Sequence, residues 1–497
     1  MTQDETKRAI IRSLLGFKIE AFGSKLAKNE LIPSNRTNTT KMIRTRILRP
    51  SFLSICIVVF VQLLCGSRSS IRSVGASEKA PEFSLPVVPT DLLDSEQEKK
   101  ALTSILEELD VFVSNAVSYL LKISHTPEQD PKFPGRFTYQ ADLREALDPS
   151  FLKMNYWKRH EQPDYNLLRH NGAIYALSQV YSRNEVRKKN GTDLKKENKN
   201  GAKNSGYHEY HQAQILRTME RAVGYLRDNA LLAVPGHSDW IAAWERTDTE
   251  DPHSRPGTAK LGGAGLAMIA LGRLEMLKPG SVSIDQELRK LGAFVESLQD
   301  KKDGSFTCKY HWDDGPMNDW VSLYYPGEAA LGLVTLAELE LTIENADADN
   351  QQSRTGTSAE LELEHQHLLK APPGGQGSAN AKPKQSDRWI KIATEALLHL
   401  ERLRRWQDLE EIEPDHWALL ATARLLPILS VRLDGLSGLE RKQAELEYWL
   451  VYNHGVRVAN SIVADHTTKG LRKHNGCFTY DSRTCPTATR LEGLRKF

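Results

Sequence analysis

Four stretches of this sequence are apolar on nearly every side of a helix and rich in Gly and Ala: "YNLLRHNGAIYAL" (165–177), "AKLGGAGLAMIAL" (259–271), "YYPGEAALGLVTLAEL" (324–339) and "PDHWALLATARLL" (414–426). A helix without a polar face has to be enclosed by other helices, which constrains the fold more than any other feature here. Each stretch follows a short polar or aromatic leader. Those leaders sit where free helix N–H groups and the positive end of the helix dipole favour acceptors and acids. Between the enclosed stretches run segments of ordinary amphipathic period, near 208–230, 284–299, 387–406 and 438–464. The alternation predicts an irregular repeat of helical hairpins, each covering its neighbour's apolar face. Strand signals are few; "DGSFTCKYHW" (303–312) is the best and is expected as a short hairpin in a loop.

The predicted organisation has four parts. Residues 1–49 form a basic arm, and residues 1–50 carry eleven Lys/Arg against four acids. Residues 50–67 hold an apolar run, Phe52 to Cys65, inside an 18-residue stretch free of charge between Arg49 and Arg68. This length is just enough to span a bilayer. The charge bias places the N-terminus in the cytoplasm and the rest across the membrane, as a signal anchor with a lumenal or extracellular domain. A cleaved signal peptide starting from Met42, giving a secreted protein, and a cytosolic protein with an apolar tail are the alternatives. Residues 68–95 read as a stem linker, and 96–497 as the helical domain, with disordered insertions near 183–207 and 345–388. The sequon at Asn190 fits a glycosylated surface loop of a lumenal domain. Cys477 and Cys485 are spaced for a pair, which leaves Cys308 odd and buried. A net charge of +2 gives no field that would favour nucleic acid.

The pattern resembles the six-hairpin glycosidase-like superfamily of α/α toroids, which includes glycoside hydrolases, sugar epimerases and polysaccharide lyases. The residues that carry the likeness are "RHNGAIYAL", "KLGGAGLAMIAL", "YYPGEAALGL", "DHWALLA" and "LGAFVESLQDKKDGSF". In the last, a helix-end Gln followed by Asp-Gly-aromatic looks like the turn between hairpins of such toroids. The resemblance implies an all-α (α/α)6-barrel-like ring. One departure is that the final stretch, "TATRLEGLRKF", supplies barely two turns of a last inner helix, so the N-terminal helix is expected to close the ring unless the sequence is truncated.

In such a ring the inner helices' N-terminal ends gather at one mouth, and candidate chemistry follows from their leaders. Glu328 stands in a first turn behind Tyr324, Tyr325 and Pro326; its bland reading is an acid matched to the helix dipole. Asp415 is a natural N-cap, followed by His416 and Trp417. Arg169, His170 and Asn171 bring a cation, an imidazole and an amide, with capping as the structural role for Asn171. "GHSDWIAAW" (236–244) and "HWDDGPMNDW" (311–320) are the densest polar-aromatic loops, carrying Asp239, Trp240 and Trp312. Aromatic faces beside carboxylates suit sugars. Arg490 could clamp a carboxylate or phosphate, though a pair with a neighbouring acid is the bland alternative. The expected chemistry is acid/base work by two carboxyls, Glu328 with Asp239 or Asp415, assisted by His170. No metal is expected, since the carboxylates at 313, 314 and 319 lack EF-hand spacing, and no cofactor is expected. A non-catalytic glycan- or protein-binding toroid and a terpene-cyclase-like toroid are the other readings.

Overall fold

The computed structural model describes residues 110–138, 165–189, 205–355, 384–464 and 484–497, apart from single positions at 112, 250 and 252. The basic arm, the apolar segment 50–67, the stem, Asn190 and Cys477 lie outside the described residues. Among the described residues, no helix is long and apolar enough to cross a membrane.

The molecule is mostly helical. Helix α1 covers 113–123, α2 Leu167–Lys189 and α3 Ser205–Asn229. Then come α4 Leu261–Leu277, α5 Arg289–Ser297 and α6 Tyr325–Thr355. The chain continues through α7 Gln385–Arg404, α8 His416–Leu433, α9 Gly438–Ala464 and α10 Thr484–Lys496. The even-numbered helices α2, α4, α6, α8 and α10 pack side by side in sequence order, while α3, α5, α7 and α9 lie against their flanks. This is the alternation that the four apolar stretches demand. In α4 every residue from Leu261 to Gly272 is buried, and in α6 every residue from Ala329 to Ala337.

Glycine sets the spacing of this inner row. A Cβ on Gly265 would lie 2.5 Å from the Glu328 carbonyl oxygen, and one on Gly332 would lie 2.6 Å from that of Gly265. Helices α4 and α6 therefore meet backbone to backbone. Further down the same pair Gly272 faces Thr335 and Leu339, so the two helices run parallel. Gly327 likewise faces Asp415 and Ala418 of α8. The first and last helices of the row are also linked, because the Tyr175 hydroxyl of α2 donates to Glu492 of α10 at 3.2 Å.

Two expectations need correcting. The chain is not all-α. A five-stranded antiparallel sheet, in the order β1-β2-β3-β4-β5, is built from Leu231–Val234, His237–Arg246, Pro256–Lys260, Lys309–His311 and Gly315–Met317. The hairpin expected at 303–312 exists as β4–β5, but it extends a larger sheet, and "GHSDWIAAW" is strand rather than loop. Strand β2 packs on α5 and α4, and β3 runs directly into α4. The second correction concerns the insertions. Helix α2 continues to Lys189, and α6 to Thr355, so ordered helix occupies the start of both segments; residues 190–204 and 356–383 lie outside the described residues.

The Gln299 turn does tie hairpins together. The Gln299 amide donates to the carbonyls of Gly304 (3.3 Å) and Ile392 (3.0 Å), and Gln299 bridges Phe306. Gly304 has φ +74 and would place a Cβ 2.5 Å from the Glu395 carbonyl oxygen of α7. An L side chain is disfavoured there by conformation and by space. A second turn of the same design follows α1, where Ser124 bridges Phe137 and Gly135, φ +89, abuts the Arg221 carbonyl of α3.

Candidate functional site

The leaders of the inner helices come together. Helix α6 starts on a cap that was not foreseen: the Ser322 hydroxyl accepts from the amides of Tyr324 and Tyr325, both at 3.2 Å. Pro326 then occupies the first turn, where its missing N–H costs nothing, and Glu328 follows. Its side chain has 5% exposure. The space it fills is that of an absent side chain, since a Cβ on Gly262 of α4 would overlap the Glu328 carboxylate. Atom Oε2 of Glu328 is buried without a hydrogen-bond partner. Burial raises its pKa to about 8, the Asp415 charge adds to the rise, and Arg169 opposes it. At neutral pH Glu328 therefore carries a proton.

Asp415 is fully buried and caps α8. Its Oδ1 accepts from the Ala418 amide at 3.0 Å, and its Oδ2 from the Arg404 guanidinium at 3.1 Å. Burial raises its pKa, while Arg404 and the Ala418 N–H favour the anion. Asp415 is held in place on both oxygens, and a Cβ on Gly327, the residue before Glu328, would lie 2.9 Å from Oδ1.

The aromatic leaders line the same region. The Tyr324 hydroxyl donates to Glu413. Tyr325 lies 5.3 Å from Trp320 between ring centroids, and Lys309 sits 3.9 Å over the Trp320 ring. Burial raises the pKa of both tyrosines; the Glu328 charge adds to the rise for Tyr325, and Glu413 does so for Tyr324. Glu245, at the end of β2, bonds Lys260 at 2.7 Å and also acts on Tyr325. His416 is buried beside Trp417 (ring centroids 4.6 Å apart), with Nε2 unpartnered. Burial lowers its pKa to about 3, with Arg490 contributing. Arg490 of α10 is buried and acts on both His416 and Tyr324. Trp417 also meets Tyr175, 6.4 Å away between centroids.

Several candidates stand elsewhere or serve the scaffold. Asp239 is exposed near the start of β2, six residues from Glu245 and so about 20 Å along an extended strand. Trp240 stacks on His237 at 3.6 Å in the same β1–β2 hairpin. Trp312 packs edge-on against Trp244 at 4.7 Å. His170 is 1% exposed among Phe137, Tyr165 and Tyr225, its Nε2 donating to the Ala222 carbonyl at 3.0 Å. Burial lowers its pKa to about 4, which makes it a neutral core histidine. Asn171 does not cap α2; Asn166 does, accepting from the Arg169 amide at 3.0 Å. Asn171 reaches across to the Gly263 carbonyl at 3.4 Å, fastening α2 to α4. Cys308 is buried and free, as expected. The described residues contain no cluster of three or more metal-ligating side chains.

Sequence reasoning missed Ser322, Glu245 and Glu413. The signals were present: Ser322 lies three residues before the first turn of α6, and Glu413 precedes the Pro414–Asp415 cap.

No protein-family profile matches this sequence, and no curated protein matches it. Among solved structures, it is similar to one described as a possible member of GH105 family from Klebsiella pneumoniae subsp. pneumoniae MGH 78578. The identity is 9% and the TM-score 0.33, with 94% of this chain and 97% of that one covered. A likeness that weak does not bear on either fold or function.

Proposed function

We propose that this chain is a carbohydrate-active enzyme whose inner helices form the wall of an α/α toroid, with Glu328 as its general acid. One observation carries the reading: a buried, protonated carboxyl with an unpartnered oxygen sits in the first turn of an inner helix, beside Tyr325, and a glycine clears its space. Such a carboxyl can protonate a glycosidic oxygen near neutral pH. Asp415 supplies fixed negative charge and position rather than nucleophilic attack, because both its oxygens are engaged. Tyr324, Tyr325, Trp320 and Trp417 offer ring faces to a sugar. Glycoside hydrolysis, and epimerisation or elimination on a uronic acid, would each use Glu328 as the acid/base residue. Residues 50–67, as anchor or cleaved signal, would place the reaction in a lumenal or extracellular compartment.

The second reading, a non-catalytic glycan-binding toroid, is favoured by the engagement of Asp415, which leaves Glu328 without a free carboxylate partner among the candidates near it. The terpene-cyclase-like reading rested on the Gln299 turn, and the clasp that turn forms accounts for it without chemistry.

Glu328→Gln in the full chain decides between the first two. Turnover on a panel of chromogenic glycosides should fall by about 10²–10⁴-fold with the fold intact. If no glycan is turned over by the parent, while glycan affinity survives Glu328→Gln and is lost in Trp417→Ala, the binding module is correct.

A further inference from the structure

A second charged cluster lies along the inner row, deeper than Glu328 and unused by it. Arg273 of α4 is about three turns beyond Gly262, some 16 Å along the helix axis. Its guanidinium reaches the Ser182 hydroxyl (3.2 Å) and the Met276 sulfur (3.6 Å), and its Nε is buried without a partner. No carboxylate among the described residues bonds it. Arg424 of α8, across the row, is within electrostatic reach and repels it. Arg424 itself is held by Glu338 through Nε at 2.9 Å and by the Thr335 hydroxyl at 3.0 Å. From α10, Lys496 adds a third cation that interacts with both arginines. Against these stand Glu338, paired with Arg424, and Glu492, which accepts from Tyr175; burial raises the Glu492 pKa and the nearby Lys496 charge opposes the rise. Helices α2, α4, α6, α8 and α10 thus converge on a layer in which positive charge exceeds negative. The buried Nε of Arg273 has no hydrogen-bond partner, which is costly, and a bound oxyanion would supply one.

We infer that Arg273, Arg424 and Lys496, with the Tyr175 hydroxyl, form a binding site for an oxyanion of the phosphate class between the inner helices. The site is separate from the Glu328 mouth and does not depend on the role of Glu328. The oxyanion can be a free ion or a substituent on a larger ligand, since guanidinium and ammonium groups read the charged oxygens alone.

The test is thermal unfolding of the full chain in rising inorganic phosphate against chloride at matched ionic strength. The expected result is a midpoint that rises with phosphate and saturates. The rise is lost in Arg273→Gln and reduced in Lys496→Met, and is kept in Arg227→Gln, whose guanidinium pairs with Glu287 instead. Lys496, at the end of α10, is more exposed to solvent than Arg273, so Lys496→Met tests the site even if the Arg273 variant fails to fold. A glucose phosphate that shifts the midpoint more than inorganic phosphate assigns the oxyanion to a substituent; an equal shift assigns it to the free ion. The inference is overturned if phosphate gives no more shift than chloride, or if Arg273→Gln and Lys496→Met both keep the full phosphate shift.

Discussion

Glu328 occupies a position that sequence logic gives to an acid and structure makes uncomfortable for one. The first turn of a helix welcomes negative charge, yet burial behind Gly262 and the neighbouring Asp415 keep the carboxyl protonated to about pH 8. The two effects compete, and desolvation wins because the side chain is almost fully enclosed. The raised pKa sets a pH dependence of stability with a definite sign. Unfolded, the group ionises near its ordinary value of 4.5; folded, it does so near 8. The unfolded state therefore binds fewer protons across that interval, and stability falls as pH rises from about 4.5 to about 8, then levels off. Glu328→Gln should remove this fall: its melting midpoint should match the parent near pH 4.5 and exceed it increasingly up to pH 8. A parallel pair of melting curves would show that the carboxyl is not buried as described. Gly262→Ala tests the same packing from the other side. The added methyl overlaps the carboxylate, and a loss of about 1–3 kcal/mol in denaturant titration is expected. Asp415 has the opposite character. Asp415→Ala removes the cap of α8 and strands Arg404 in the interior, so equilibrium unfolding should show a loss of about 3–5 kcal/mol.

At the scale of the element, the fold is held by contacts that only some sequence signals announce. Gly304 is one such contact, with its positive φ and its approach to the α7 backbone. Gly304→Val should lower stability by about 2 kcal/mol or more, readable as a drop in denaturant midpoint. The helices were legible because enclosure leaves a strong mark: when "LGGAGLAMIALGRL" has no polar face, only a surrounded helix satisfies it. The ends were less legible. Helices α2 and α6 run on into polar, charged sequence, where the apolar period stops but helix propensity of Glu, Arg and Lys does not. Strand β2 was missed for a different reason. "HSDWIAAWER" mixes alanines with acids and carries little β-propensity; pairing on both sides, with β1 and β3, makes it a strand. That error carried Asp239 with it. An acid next to a tryptophan looked like part of a mouth, but most of the length of β2 separates it from Glu245, the acid that acts on Tyr325. His170 was misjudged by the same logic: a leader position says where the backbone is, while the three rings around it decide whether the imidazole meets water.

For the whole molecule, polar groups are layered along one axis. The starts of α4, α6 and α8 hold Gly262, Glu328 and the capping Asp415, and further along the helices lie Tyr175, Arg273, Glu338 and Arg424. The Tyr175–Glu492 bond joins the first and last inner helices, and Tyr175→Phe should lower the cooperativity or midpoint of global unfolding by about 1 kcal/mol. If that variant instead melts in two separate steps, the two ends of the row are independent and the toroid proposal loses its closure.

Helices α2 and α6 begin at the Glu328 end and finish at the other, and both long stretches of chain at 190–204 and 356–383 depart from those far ends. An epitope tag or a linker to a solid support inserted directly after Lys189 or Thr355 would join the molecule at helix ends that lie away from the first turn of α6. Protein immobilised through either helix end should keep the melting midpoint of the free chain, because the buried contacts of Glu328 and Asp415 lie at the opposite ends of these helices.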